Sequence, residues 1–299
     1  MQIYELLVSN KPTFERPNSG HFKLPISPSA KKTTWLPNVY CKACGGRPGS
    51  LGYPIPEAED LPDEGEILAA IVKMHRQIDR VRRKISYNMI AGIKDDSISD
   101  DIDGSISPKE FQTLASALCD FLKIPPQRKI WPLSRIGILN VICNSPSIPD
   151  FCEVSSGSPP VVSSRAKSAF EESKFNGWHT FPVKVAMANI KKLRESEPPE
   201  LWEILVIGDG GIPAGLSKGT DYEECRECGF ITWHGRLDTV SLDMSQWDGS
   251  DIFHFTDMGG IYVTEDYKKA VEAAELTGAY FRPSHMTYTE WESRIISAL

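Results

Sequence analysis

A chain of 299 residues is long enough to bury a sizeable core without disulfide staples. With 40% hydrophobic residues, 24% charged residues and a mean hydropathy of −0.28, it falls in the ordinary globular range, which excludes collagen-like, coiled-coil and wholly disordered chains. A formal charge of −7 argues against unspecific binding to nucleic acid or acidic membranes and suits a basic partner. No apolar run approaches the roughly 18 to 20 residues needed to cross a bilayer. The opening MQIYELLVSN has neither a basic n-region nor a long apolar stretch, so no signal peptide and a cytoplasmic location are expected.

In chain order, the first predicted element is a strand over Gln2–Val8. Trp35-Leu36-Pro37-Asn38-Val39 then leads into Cys41-Lys42-Ala43-Cys44-Gly45. Prolines and glycines keep the region up to about residue 64 out of helix. From Asp63 to about Ile93, apolar residues at three- and four-residue steps (Ile67, Ile71, Met74, Ile78, Val81, Ile85) predict one long amphipathic helix. Its other face is basic, with Arg76, Arg80, Arg83 and Lys84, and reads as a solvated surface. Across its start, Glu57, Glu59, Asp60, Asp63, Glu64 and Glu66 form an acidic stretch.

Ser99–Glu110 places Asp101, Asp103, Gly104, Ile106 and Glu110 at EF-hand positions, but Ser99 stands where the first aspartate belongs. A simpler reading makes Ser107 the N-cap, Pro108 the first helical residue and Glu110 the partner in a capping box for a helix over Pro108–Leu122. Cys119, Cys143 and Cys152 sit in apolar surroundings and read as buried small residues.

In the second half, an ungapped alignment lays Asp150–Pro182 over Asp251–Pro283. It matches Val162 with Val263, Lys167 with Lys268, Glu171 with Glu272 and Gly177 with Gly278. Each stretch reads as strand, helix capped by Ser163 or Thr264, glycine turn and strand, so a duplicated strand-helix-strand unit is expected. Between them lie a predicted short helix at Lys184–Arg194, a strand at Leu201–Ile207, and Gly208-Asp209-Gly210-Gly211, read as a turn.

Cys225-Arg226-Glu227-Cys228-Gly229 repeats the pattern of Cys41–Gly45. A Cys-x-x-Cys followed by glycine folds into a tight knuckle whose two thiolates point at one cation, and two knuckles complete a tetrahedral four-cysteine zinc site. A redox pair would open a helix, which Gly45, Gly46, Pro48 and Gly49 forbid after the first pair. An odd count of seven cysteines also weakens a disulfide framework. Cys41, Cys44, Cys225 and Cys228 are therefore the predicted ligands of a structural zinc, with His234 a candidate substitute ligand. The fold expected is α+β: mixed sheets with packed helices and two zinc knuckles joined in one site. An N-terminal lobe of 1–149 carries the first knuckle and a helical insertion at about 65–104. A C-terminal lobe of 150–299 carries the second knuckle and the duplicated units, and the metal bridges the lobes into one compact unit.

No Gly-x-Ser-x-Gly elbow, His-Glu-x-x-His or Walker loop is present, and four thiolates leave zinc no open position for a reactive water. WLPNVYCKACGG followed by GYPIPEAEDLP resembles the N-terminal signature of the double-CXXCG motif family, a paralogous group best known from myxobacteria that includes Sit-type immunity proteins. CRECGF, DGSDIFHF and IYVTEDYKKAVEAAELTGAYFRPS look like that family's second motif and its closing helix and strand, whereas about 65–104 looks like an insertion. The resemblance implies an immunity protein that binds a cognate toxin protein and acts on neither nucleic acid nor membrane; it leaves the oligomeric state open. The acidic stretch suits a basic toxin. Two other classes stay open at this stage, a zinc-ribbon nucleic-acid-binding or regulatory module and an uncharacterised enzyme.

Overall fold

The computed structural model describes residues 1–8, 26–28, 34–36, 39–45, 55, 106–122, 130, 132, 134–143, 145, 147–154, 160–187, 197–235 and 237–298. The elements begin with β1 (Ile3–Val8), β2 (Ile26–Pro28), β3 (Thr34–Trp35), α1 (Pro108–Leu122), β4 (Arg135–Ile136), β5 (Asn140–Cys143) and β6 (Phe151–Cys152). Next come β7 (Val161–Ser163), α2 (Ser164–Ser173), β8 (Trp178–Pro182), β9 (Lys184–Met187), β10 (Leu201–Val206), β11 (Gly208–Asp209) and β12 (Tyr222–Glu224). The chain continues with β13 (Ile231–Trp233), β14 (Ile252–His254), β15 (Ile261–Thr264), α3 (Glu265–Ala273), β16 (Ala279–Pro283) and α4 (Tyr288–Ala298). Mixed sheets with helices make this an α+β protein.

Two compact units are built from interleaved segments: Met1–Lys32, Ile138–Glu223 and Trp233–Leu299 in the first, Thr33–Gly137 and Glu224–Thr232 in the second. Within the first unit, β1 pairs antiparallel with β15 and β16, far along the chain.

The first unit holds a five-stranded sheet in the order β11-β14-β15-β1-β16, a four-stranded sheet in the order β6-β7-β10-β8, and a small sheet, β2-β5-β9. Strand alternation divides each central strand between two faces. Tyr4 and Leu6 of β1, with Ile204 and Val206 of β10, join Phe151, Val162, Phe170, Ile252, Val263, Tyr267 and Val271 in one buried cluster that takes in both helices α2 and α3. The opposite faces feed separate clusters, Ile3 with Phe253, Phe255 and Tyr262, and Leu201 with Val141, Cys152, Val154 and Val161. Ser163 and Thr264 cap α2 and α3, each accepting from a backbone N–H, that of Ala166 or Tyr267.

Two expectations change here. Lys184–Met187 is strand rather than the start of a helix: it pairs in parallel with Asn140–Cys143, and Val185 packs at the edge of the Val141 cluster. Sheet pairing and burial overrode the local helical pattern; residues 188–196 lie outside those described. Gly208–Asp209 is a short strand parallel to β14, and the turn begins only afterwards, with Gly211 at φ +67°. A Cβ on Gly208 would stand 2.1 Å from the Ile252 carbonyl oxygen, so glycine allows this approach.

In the second unit, β3 pairs with β4, Val39 bridges to Ile106, and the apolar face of α1 (Phe111, Leu114, Leu118) closes over Leu36, Val39 and Ile55. The capping box forms as expected: Glu110 accepts from the Ser107 backbone N–H at 2.8 Å, and Ser107 Oγ accepts from the Glu110 N–H. These bonds hold the Glu110 carboxyl below its ordinary pKa. The long helix over 63–93 and the acidic stretch at 57–66 lie outside the described residues.

Candidate metal centre

Cys41–Gly45 and Cys225–Gly229 adopt the same local form. Gly45 N–H donates to the Cys41 carbonyl and Gly229 N–H to the Cys225 carbonyl, both at 2.8 Å. Each glycine has positive φ, +68° and +71°, and a Cβ there would meet nothing within 4 Å. The glycines are required for backbone conformation and not for space. β12 and β13 form the hairpin that carries the second knuckle, closed by Cys225 N–H donating to the Phe230 carbonyl at 3.0 Å.

All four sulfurs lie within 4.8 Å of one another. Cys41 Sγ faces Cys225 Sγ and Cys44 Sγ faces Cys228 Sγ, each pair at 3.8 Å. A tetrahedral zinc tetrathiolate with bonds of about 2.3 Å has sulfur–sulfur edges of about 3.8 Å. A disulfide would need about 2.05 Å, and all the cysteines are free thiols. The donor set therefore fits one four-coordinate metal ion, as the spacing predicted. Cys41 is buried, Cys44 exposed, and the other two half-buried.

The Cys225 thiol is lowered to about 7, chiefly by the backbone N–H groups of Cys228 and Glu227. Burial pushes Cys228 upward. Four-coordinate binding needs these thiols as thiolates, so a bound cation would displace their protons.

Other predicted ligands are not brought here. His234 Nδ1 lies 3.1 Å from the Thr220 carbonyl, and only the four cysteines form a possible metal cluster among the described residues. Glu110 is engaged with Ser107, and positions 99–105 of the EF-hand-like segment lie outside the described residues. Cys143 and Cys152 are buried, as expected, whereas Cys119 is only partly buried at the edge of the α1 cluster; burial pushes the Cys152 thiol up to about 12, which leaves it inert.

Sequence reasoning missed a second cluster. Glu5 and Arg282 form an ion pair in the first unit, with Tyr288 donating to Glu5 at 3.2 Å, beside a cleft of about 280 Å³ that Trp233, Asp257 and Tyr262 help to line. Arg282 also donates to the carbonyls of Asp238 and Met286. Its donors are thus committed to bracing β1 against the C-terminal segment. Only the apposition of Glu5 with Arg282 in the β1–β16 register reveals the pair.

No protein-family model and no curated protein matches the chain. Among the described residues, no helix is long and apolar enough to cross a membrane.

Proposed function

We propose that the protein is an immunity protein of the double-CXXCG type, which neutralises a cognate toxin protein by stoichiometric binding and carries one structural zinc on Cys41, Cys44, Cys225 and Cys228. The observation that carries this reading is the convergence of the two motifs, in which four thiolates supply every position of a tetrahedral ion. Such a site holds chain segments together and presents no open coordination position for a substrate. The motif sequences supply the family resemblance, and the charge of −7 suits a basic partner.

The duplicated unit belongs to this reading. It is supported by matching elements at aligned positions: β7, α2 and β8 beside β15, α3 and β16, the caps Ser163 and Thr264, and the ion pairs Lys167–Glu171 and Lys268–Glu272.

The test is co-expression of the protein with each candidate toxin encoded beside its gene, together with a binding assay on the purified pair. Rescue at equal stoichiometry and a stable complex are expected, with Cys41→Ser and Cys225→Ser protecting less. Rescue by trace amounts of the protein would indicate turnover and overturn the reading, as would failure to bind or rescue any candidate.

A further inference from the structure

The two stretches aligned above make reciprocal contacts. Asp150 accepts from the Thr277 backbone N–H and hydroxyl, both at 2.9 Å, and its own N–H donates to Thr277 Oγ1 at 3.0 Å. At the aligned positions, Asp251 accepts from the Asn176 N–H at 3.1 Å, and its own N–H donates to Asn176 Oδ1 at 2.9 Å. Each aspartate also takes the hydroxyl of its own helix cap, Ser163 or Thr264. The glycine turns behave alike: a Cβ on Gly177 would stand 2.2 Å from the Ile252 carbonyl oxygen, and one on Gly278 would stand 2.3 Å from that of Phe151. When i meets j and the equivalent of j meets the equivalent of i, the surface is isologous, the mark of a twofold dimer.

The equivalence extends to strands outside the sequence alignment. Trp202 in β10 lies opposite Val162 and Pro182; Tyr4 in β1 lies opposite Val263 and Pro283. In this register IYELLV matches LWEILV, with glutamate third in both. Lys268 Nζ sits 5.3 Å from the Tyr4 ring centroid, and Lys167 Nζ sits 4.6 Å from that of Trp202. In chain order each first strand precedes a knuckle and then a strand-strand-helix-strand run, yet β1 completes the sheet of β14, β15 and β16 while β10 completes that of β6, β7 and β8. The knuckles meet like with like, Cys41 with Cys225 and Cys44 with Cys228.

We propose that the chain is a dimer joined into one polypeptide: two copies of a strand–knuckle–strand–strand–helix–strand module that exchange their first strands and divide one metal between them, two thiolates each. The partner that this isologous surface fits is a second copy of the same module, already supplied within the chain. The inference rests on the duplicated-unit reading and is independent of the toxin. Only the first module carries a long segment between its knuckle and β6.

The test uses the full chain with a site-specific protease sequence inserted between Glu197 and Pro198, exposed residues ahead of β10. After cleavage, the two fragments should elute together at 1:1 with one zinc, and separate only in denaturant. In the same chain, replacing residues 3–8 by LWEILV should preserve this behaviour, whereas the same sequence shifted by one residue should abolish it. Fragments that part without denaturant would overturn the exchange. Fragments that stay together but tolerate neither replacement, or both, would overturn the equivalence of the modules. An uncut control asks the same of the interface: Asp150→Ala should speed amide exchange at Thr277 and Gly278, and Asp251→Ala at Asn176 and Gly177. Effects confined to the substituted aspartate's own helix would overturn reciprocity.

Discussion

The described parts of the two units differ in how they are held together. Among the described residues, the first contains three of the four buried apolar clusters, including the aromatic contacts of Phe170 with Tyr267 and Trp178, at 5.0 and 5.5 Å between ring centroids. The described residues of the second hold one cluster of six buried side chains, together with the thiol site. A metal on that site would cross-link segments far apart in sequence, a support found nowhere else among the described residues. A bound metal is therefore expected to matter more to the second unit than to the first.

The largest expected effect tests that division. Chelation of the metal, or Cys225→Ser, should reduce zinc from one per chain toward none and open the second unit by several kcal/mol, since structural zinc contributes on the order of 10 kcal/mol in small fingers. Amide exchange should quicken at Val39, Ile55 and α1 while β14, β15 and β1 stay protected. Equal loss in both units would break the comparison.

Next, Phe170→Ala should cost about 3–5 kcal/mol, read as a lowered urea midpoint, because the residue is 1% exposed and touches rings from three elements. Zinc content should not change.

The third prediction concerns acid. Burial lowers the pKa of His254 to about 4, against the opposing Gly260 carbonyl and Asp209. The unfolded chain, with an ordinary value near 6.5, binds this proton first, so stability is full above about pH 6.5 and declines as pH falls through 4. The loss is on the order of 3 kcal/mol. Thermal melts from pH 7 to 4 should show it, and His254→Asn should flatten the profile. Below about pH 4, Asp150 adds to the decline: burial alone would raise its pKa, but Arg165, Thr277 and Ser163 hold it well below the usual range.

The smallest effect is Ser107→Ala, which removes the hydroxyl half of the capping box on α1, leaves the backbone N–H of residue 107 to Glu110, and should cost about 1 kcal/mol. In the second unit this should show as lower retention of zinc under chelator challenge. An unchanged chelation rate would mean that α1 and the knuckles are not linked in stability.

These differences also govern what could be read in the chain. Knuckles and caps are local chemistry: Cys-x-x-Cys-Gly, Ser107 with Glu110, and Ser163 and Thr264 ahead of their helices each state their structure within a few residues. Lys184–Met187 does not, because its strand state is imposed by Val141 and its neighbours. Gly208 reads as a turn until the Ile252 carbonyl is brought against it. The pairing of IYELLV was equally hidden, since nothing in six residues names a partner so far along the chain. The candidate site was legible because its ligands announce themselves in pairs, whereas the company kept by Glu5 was not.

The placement of β1 also bears on synthesis. Both its neighbours, β15 and β16, lie far along the chain, so at about 5–20 residues per second β1 leaves the ribosome on the order of ten to fifty seconds before either partner exists. An apolar strand with unpaired edges is then open to other chains throughout that interval. Expression yield should therefore depend on chaperone supply and on translation speed more than on the stability of the finished protein, and a slower codon choice should lower the soluble fraction.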